Sequence, residues 1–324
     1  MMKMHSGSFV GMVFLLLVCS SQAQQKGTTN TVTAPPINPN AVAILRWYPV
    51  NLTTTFSVGA APVGVAFDGA NIWVVNNLGN TVTKLAANDG TVLGNFNAGN
   101  FPREIVFDGA NMWITNGNNA TVTKLRASDG TTLGTFPVGQ GPEWLAFDGA
   151  NIWVSNYVGN SLTKLRASDG TVLATCPVGH GANGVAFDGL NIWESNSADN
   201  TVYKLRPTDC TLEGTANVPN PDAMAFDGTN LWVTNYQSGT VTKLRVSDGV
   251  VVGTYSVGSD PVGVAFDGIN IWVANYESSN VTKLEASTGR VLGTFPTPSS
   301  ATRIAFDGAN VWVTGNNNAT VSKF

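Results

Sequence analysis

Eight side chains could work together chemically in this chain: Arg103, Glu104, Glu143, Trp144, His180, Asn183, Asp222 and Arg303. Two guanidinium groups can hold an anion through paired hydrogen bonds. Glu104, Glu143, Asn183 and Asp222 supply the oxygen donors that hard cations such as Ca²⁺ or Mg²⁺ require. Trp144 offers a flat face for stacking. His180 is the single imidazole beyond residue 23 and could act as a general base beside Glu143 or Asp222. No short motif joins these residues, so only a fold that gathers distant segments can make them one site.

The elements that could gather them are repeats. Phe-Asp-Gly begins at Phe67, Phe107, Phe147, Phe187, Phe226, Phe266 and Phe306, at intervals of 40 residues with one of 39. A Trp follows each Phe by six residues, from Trp73 to Trp312. A period of this length marks a repeat architecture. Within one repeat, 142–178, strand-forming runs are separated by Asp-Gly turns. The pattern predicts strands from Trp144 to Phe147, Asn151 to Asn156, Ser161 to Leu165 and Thr171 to Val178. No segment carries a helical period. Four short strands per repeat describe an all-β, seven-bladed β-propeller of four-stranded blades. Each Trp is expected to fill the space between its blade and a neighbour. The last repeat reaches Phe324 after its third strand, and Leu52 to Val58 matches an outer strand. An N-terminal outer strand completing the last blade would therefore close the ring and hide both edges. A two-plus-two closure, with Ala41 to Leu45 as the third strand, is the alternative.

Repetition also separates scaffold from site. A residue present in every blade builds blades, whereas a site shows as departures. Asn76, Asn116, Asn156, Asn196, Asn235 and Asn275 recur three residues after six of the seven Trp residues and are expected to bond the following loop's backbone. Lys84, Lys124 and Lys164 read as solvated strand residues. Each inner strand opens on two positions, commonly Val-Gly, as in Val63-Gly64 and Val262-Gly263. The departures are Arg103-Glu104, Glu143-Trp144, Asn183-Gly184, Asp222-Ala223 and Thr302-Arg303, with His180 just ahead of Asn183. Topology places them around one funnel at the channel mouth, with Tyr157, Tyr236 and Tyr276 opening loops on the same face. Three readings fit: a solvated rim of paired charges, a binding funnel for a small molecule, glycan or protein loop, and a Ca²⁺ or Mg²⁺ site on Glu104, Glu143, Asn183 and Asp222. Glu194 replaces the Val or Ile that follows Trp elsewhere. Its plainer reading is a solvent-facing edge, and its sharper one a buried carboxylate with a raised pKa.

Composition narrows the function classes. Only 12% of residues are charged and the net charge is −4. Without clustered Lys and Arg, nucleic acid is not an expected partner. Lys3, the apolar run Phe9 to Cys19, which is too short to span a bilayer, and Ser21-Gln22-Ala23 read as a signal peptide over 1–23. Lipidation at Cys19 is the rival, weakened by Val18. Residues 24–40 read as a flexible lead-in, and the propeller is expected over 41–324. A secreted or periplasmic monomer without a transmembrane span follows. Cys176 and Cys210 then remain. Counted along one blade they fall roughly 20 Å apart, at about 3.3 Å per strand residue, beyond disulfide reach. Two free thiols are expected, with Cys176 buried and Cys210 exposed.

The run WVxN, then xVxKL, with a Gly turn before the next FDG, resembles the YVTN and NHL groups of propeller repeats. It is most similar to exported bacterial propellers related to virginiamycin B lyase, over residues 41–324. That resemblance implies a metal-dependent lyase or, more distantly, a lactone hydrolase, as the alternative to a binding or protein-interaction module. The lyase uses histidines with an acidic residue near a metal. Here His180 stands alone and no Glu-x-His occurs, so that set does not carry over.

Overall fold

The computed structural model describes residues 54–324. The expected signal peptide, the lead-in and the Ala41 to Leu45 segment lie outside the described residues. Seven four-stranded antiparallel sheets form a ring. In blade 1 the strands run Pro62–Phe67, Asn71–Asn76, Thr81–Ala86 and Val92–Asn97, from the channel outward. In blade 3 they run Pro142–Phe147, Asn151–Asn156, Ser161–Arg166 and Val172–Pro177, within two residues of the expected bounds. Blade 7 takes three strands, Ala301–Phe306, Val311–Gly315 and Thr320–Lys323, and its fourth is Thr55–Ser57. Phe56 pairs with Val321, so the closure is three-plus-one.

The repeated residues form one device per blade. Asp68 Oδ2 accepts the Trp73 indole N–H at 2.7 Å, and Oδ1 accepts the backbone N–H groups of Ala70 and Asn71. Burial pushes the Asp68 carboxyl up, but the bonds from Trp73, Ala70 and Asn71 outweigh it and hold the group below the usual range. The same Asp–Trp bond occurs in all seven blades. Neighbouring residues of the second strand feed different interfaces. Trp73 packs toward blade 2 with Ile105 and Ile114, whereas Val74 packs toward blade 7 with Trp312.

The lysines correct the sequence reading. Lys84 is 7% exposed, lies over the Trp73 ring at 5.0 Å and donates to Ala127 O of the next blade at 2.6 Å. Lys124 repeats this with Trp113 and Ala167 O, and Lys164 with Trp153 and Pro207 O. A four-carbon stem buries well, and its ammonium satisfies turn carbonyls that would otherwise lack a donor. Five of the six asparagines are structural, as expected, but mostly through side chains rather than the following loop's backbone. Asn76 Nδ2 donates to the Thr81 and Thr83 hydroxyls, and its Oδ1 accepts Gly59 N–H from the preceding connection.

The cysteines are also a correction. Cys176 and Cys210 form a disulfide with Cα atoms 5.7 Å apart. Counting residues along one flat blade missed the contact between blades. The outer strand twists so that its end leans over the third-to-fourth-strand turn of the next blade. At four other interfaces an aromatic ring fills that contact. A Cβ added at Gly90, Gly130, Gly170 or Gly289 would strike Phe56, Phe96, Phe136 or Tyr255 of the preceding blade. Between blades 3 and 4 the ring is Cys176 and the glycine is Cys210, which keeps the turn's positive φ of 62°. Cys210 is half-buried rather than exposed. Replacing both cysteines with Ser should lower stability by about 2–4 kcal/mol. The Cys176→Phe/Cys210→Gly pair should recover much of that loss, because it restores the contact used elsewhere. Urea unfolding of the three proteins measures both, and equal midpoints throughout would refute the assignment.

Candidate functional site

Each inner strand slips register just after its first residue. The shift falls between Pro102 and Ile105, Pro142 and Leu145, Ala182 and Val185, Pro221 and Met224, and Ala301 and Ile304. The two departing positions of each blade occupy this bulge. A bulge frees residues from regular pairing and re-aims their side chains. Five blades with different bulge residues thus present unlike groups to one channel mouth.

Those groups pair across the ring. Arg303 Nε donates to Glu104 Oε2 at 2.9 Å, and Arg303 Nη1 donates to Val262 O at 2.7 Å. Glu104 is 6% exposed, and its Oε1 accepts Ile105 N–H. Burial raises the Glu104 carboxyl; Arg303 opposes that rise without cancelling it. The Arg303 guanidinium covers the Trp144 ring at 4.4 Å, so the stacking face expected of Trp144 is already taken. Trp144 packs against the apolar clusters of blades 3–4 and of blades 5–6, so it crosses the channel. Arg303, Glu104 and Trp144 therefore form a plug. Below it lies a cavity of about 140 Å³, lined also by Val65, Leu145 and Val264.

Above the plug the cleft has two compartments that share Tyr157, Asn183 and Asp222. The larger, about 490 Å³, holds Arg103, Glu143 and Arg303. Arg103 Nη1 bonds Glu143 Oε2 at 2.9 Å. Burial pushes the Glu143 carboxyl to about 7, against the pull of Arg103 and Arg303. The smaller, about 370 Å³, lies between Tyr157 and Tyr236. Asp222 stands at the junction, 8% exposed, with Oδ1 accepting Asn183 Nδ2 at 2.8 Å. Burial raises Asp222 to about 6, again opposed by Arg303.

Seven of the eight residues singled out in the sequence meet in this plug and cleft. His180 does not. Its side chain is 74% exposed, and its Nδ1 lies 3.1 Å from Asp199 Oδ1 on the rim. Glu104, Glu143, Asn183 and Asp222 converge without forming a cation cage. Two of their carboxylates are held by arginines. Among the described residues, no group of three or more His, Cys, Asp or Glu side chains could hold a metal. So arranged, the four do not fit a divalent cation. Ser197, Asn220 and Gln237 of the smaller compartment escaped the sequence reading. They sit in loops, and the strand-based comparison gave no reason to single them out.

Glu194 overturns its plainer reading. It is 0% exposed and takes the place of Val74, Ile114 and Val154, which face the preceding blade. Neither carboxylate oxygen has a hydrogen-bond partner among the described residues. Burial pushes its pKa well above the ordinary 4.5; the nearby Asn196 amide and Asn183 backbone offset part of this without closing a well-formed bond. Asn196 also has no hydrogen-bond partner among the described residues, and Tyr203 stands where other blades place one of the two threonines that bond this Asn. The folded form keeps a proton that the unfolded chain releases above pH 4.5. Stability from this group therefore falls as pH rises past 4.5. Glu194→Val should stabilise the protein at pH 8 by about 1–3 kcal/mol and by less at pH 5. Urea midpoints at both pH values decide it, and a gain that does not grow with pH would reject this account.

No family model matches the chain, and no curated protein matches it. Many solved structures share the fold, among them these two. "Streptogramin B lyase structure" is 17% identical, covers 83% of this chain and 95% of its own, and superposes with a TM-score of 0.72. "Kuenenia stuttgartiensis Hydrazine Synthase" is 16% identical over 82% of this chain and 95% of its own, also at 0.72. Identities this low establish the propeller architecture alone. No helix among the described residues is long and apolar enough to cross a membrane.

Proposed function

We propose that this propeller is an exported binding module that takes a small polar ligand in the cleft above the Arg303 plug. One observation carries the reading. The residues that break the seven-fold repeat at the channel mouth converge on a single concave site with buried charges and half-exposed aromatic rings. Sites of this kind are the usual places for ligands. The Cys176–Cys210 disulfide supports export, since such bonds persist in oxidising compartments. Glycans and protein loops are further candidates for the same surface.

The test is a thermal-shift screen of residues 24–324 against polar metabolites and short glycans. A ligand at a hundred times its Kd stabilises by about 2.7 kcal/mol and raises the midpoint by a degree or more. Hits should vanish in Glu143→Gln/Asp222→Asn. A screen without hits in the wild type would reject the reading, and hits that survive the double variant would reject the site.

A second reading rests on Glu143 and Asp222, whose pKa values of about 7 and 6 suit general acid–base work near neutrality. It would make the protein a carbon–oxygen lyase or lactone hydrolase, in line with the fold shared with streptogramin B lyase. Turnover of cyclic esters, lost in Glu143→Gln, separates catalysis from binding.

A further inference from the structure

The compartment between Tyr157 and Tyr236 has a chemistry of its own. Around the ring, the position that opens each second-to-third-strand loop reads Asn77, Gly117, Tyr157, Ser197, Tyr236, Tyr276 and Asn316. Blade 4 places the small Ser197 between two tyrosines, and the cavity of about 370 Å³ occupies the gap this leaves. Tyr157 and Tyr236 are 42% and 39% exposed. Asp222 is the sole formally charged residue among those lining the cavity.

That charge makes no direct ion pair among the described residues, and Arg303, the cation that acts on it, is bonded to Glu104. The plug and cleft hold two arginines and three carboxylates. Arg303 is bonded to Glu104 and Arg103 to Glu143, which leaves Asp222 over. Asp222 Oδ1 is held by Asn183, whereas Oδ2 has no hydrogen-bond partner among the described residues. Asp260 and Glu277 also lie near enough to Tyr236 to push its phenol upward, after burial, so the wall carries negative potential. A buried carboxylate with a free oxygen between two aromatic rings attracts a cation. One carboxylate with rings, Pro221 and Ala198 around it is a poor cage for Ca²⁺ or Mg²⁺, which need six or more oxygens. It suits a cation that is itself partly apolar.

We infer that this compartment binds an organic ammonium group, with Asp222 as its counter-ion and Tyr157 and Tyr236 as the ring faces that enclose it. The inference rests on the binding reading above and names the ligand's chemical class. The adjoining Arg103 side leaves room for the rest of the molecule.

The test is calorimetric titration of residues 24–324 with choline and with its neutral isostere, 3,3-dimethylbutan-1-ol. Choline should bind at least tenfold more tightly than the isostere. Asp222→Asn should weaken choline by tenfold or more, and Tyr236→Leu should weaken it several-fold, with folded circular dichroism spectra in both. The wild-type comparison stands even where a variant fails to fold. Equal binding of choline and isostere, or choline binding unchanged in Asp222→Asn, overturns the inference. No choline binding, with hits still found in the metabolite screen, overturns it as well and leaves the binding module standing. Silence in both experiments removes the two together.

Discussion

Arg303→Met should destabilise the protein by about 3–5 kcal/mol at pH 8. Arg303 lies on the inner strand of blade 7, yet its Nε holds Glu104 of blade 2, its Nη1 holds Val262 O of blade 6, and its guanidinium lies over Trp144 of blade 3. Methionine keeps much of the side-chain volume and loses all three polar contacts. Glu104 then stays buried without its cation, which costs more than the pair itself contributes. It must take up a proton to stay in place. The unfolded chain releases that proton above about pH 4.5, so the variant's deficit grows as pH rises and shrinks toward pH 4. Arg303→Met/Glu104→Gln should recover most of the loss, because it removes the orphaned charge. Guanidinium unfolding at pH 5 and pH 8 measures the series. A deficit equal at both pH values, with no rescue by the double change, would mean that the plug works by packing alone.

Trp113→Ala should cost about 3–5 kcal/mol at any pH between 5 and 8. Trp113 is fully buried, its ring centroid lies 5.5 Å from that of Phe136, and it donates to Asp108 at 2.7 Å. Lys124 Nζ lies over its ring at 4.8 Å while donating to Ala167 O at 2.6 Å. Alanine opens a cavity, takes a donor from Asp108 and leaves a buried ammonium with less to hold it. Trp113→Phe keeps most of the ring and should cost less than half as much. Equilibrium unfolding decides between them. If Phe and Ala proved equally damaging, the Asp108 bond rather than the filled volume would be the larger contribution.

How much of this was legible before the fold was known depends on the direction in which one looks. Along a blade the sequence was a good guide. The FDG turns, the Trp and the alternating strands placed the blade 3 elements within two residues, and TVSKF with LTTTFSV foretold the closure. Between blades it was a poor one. Lys84 looked like a solvated strand residue because its partner, Ala127 O, belongs to another repeat. Cys176 and Cys210 were counted beyond disulfide reach, yet they are bonded. Their contact stayed hidden because strand spacing says nothing about how one sheet leans on the next. The plainer reading of Glu194 failed, and its sharper one held, because the Val it replaces faces a neighbouring blade. At the channel mouth the repeat test selected seven residues that do meet. The pairing of Arg303 with Glu104 was beyond it, since which groups join across a channel depends on ring curvature and bulge geometry.

The closing strand carries a consequence for how the chain is made. Thr55 and Ser322 are bonded neighbours in blade 7, yet 267 residues separate them. The earliest segment of the ring to leave the ribosome must therefore wait for the latest. Until then blades 1 to 6 can assemble only as an open arc, with raw edges at both ends and no route to completion. Contacts this distant form slowly, so the half-built arc is the species most exposed to proteases and to other copies of itself. A chain that stops one blade early has no partner for its first strand, and it is marked for clearance by the same geometry that protects the finished ring.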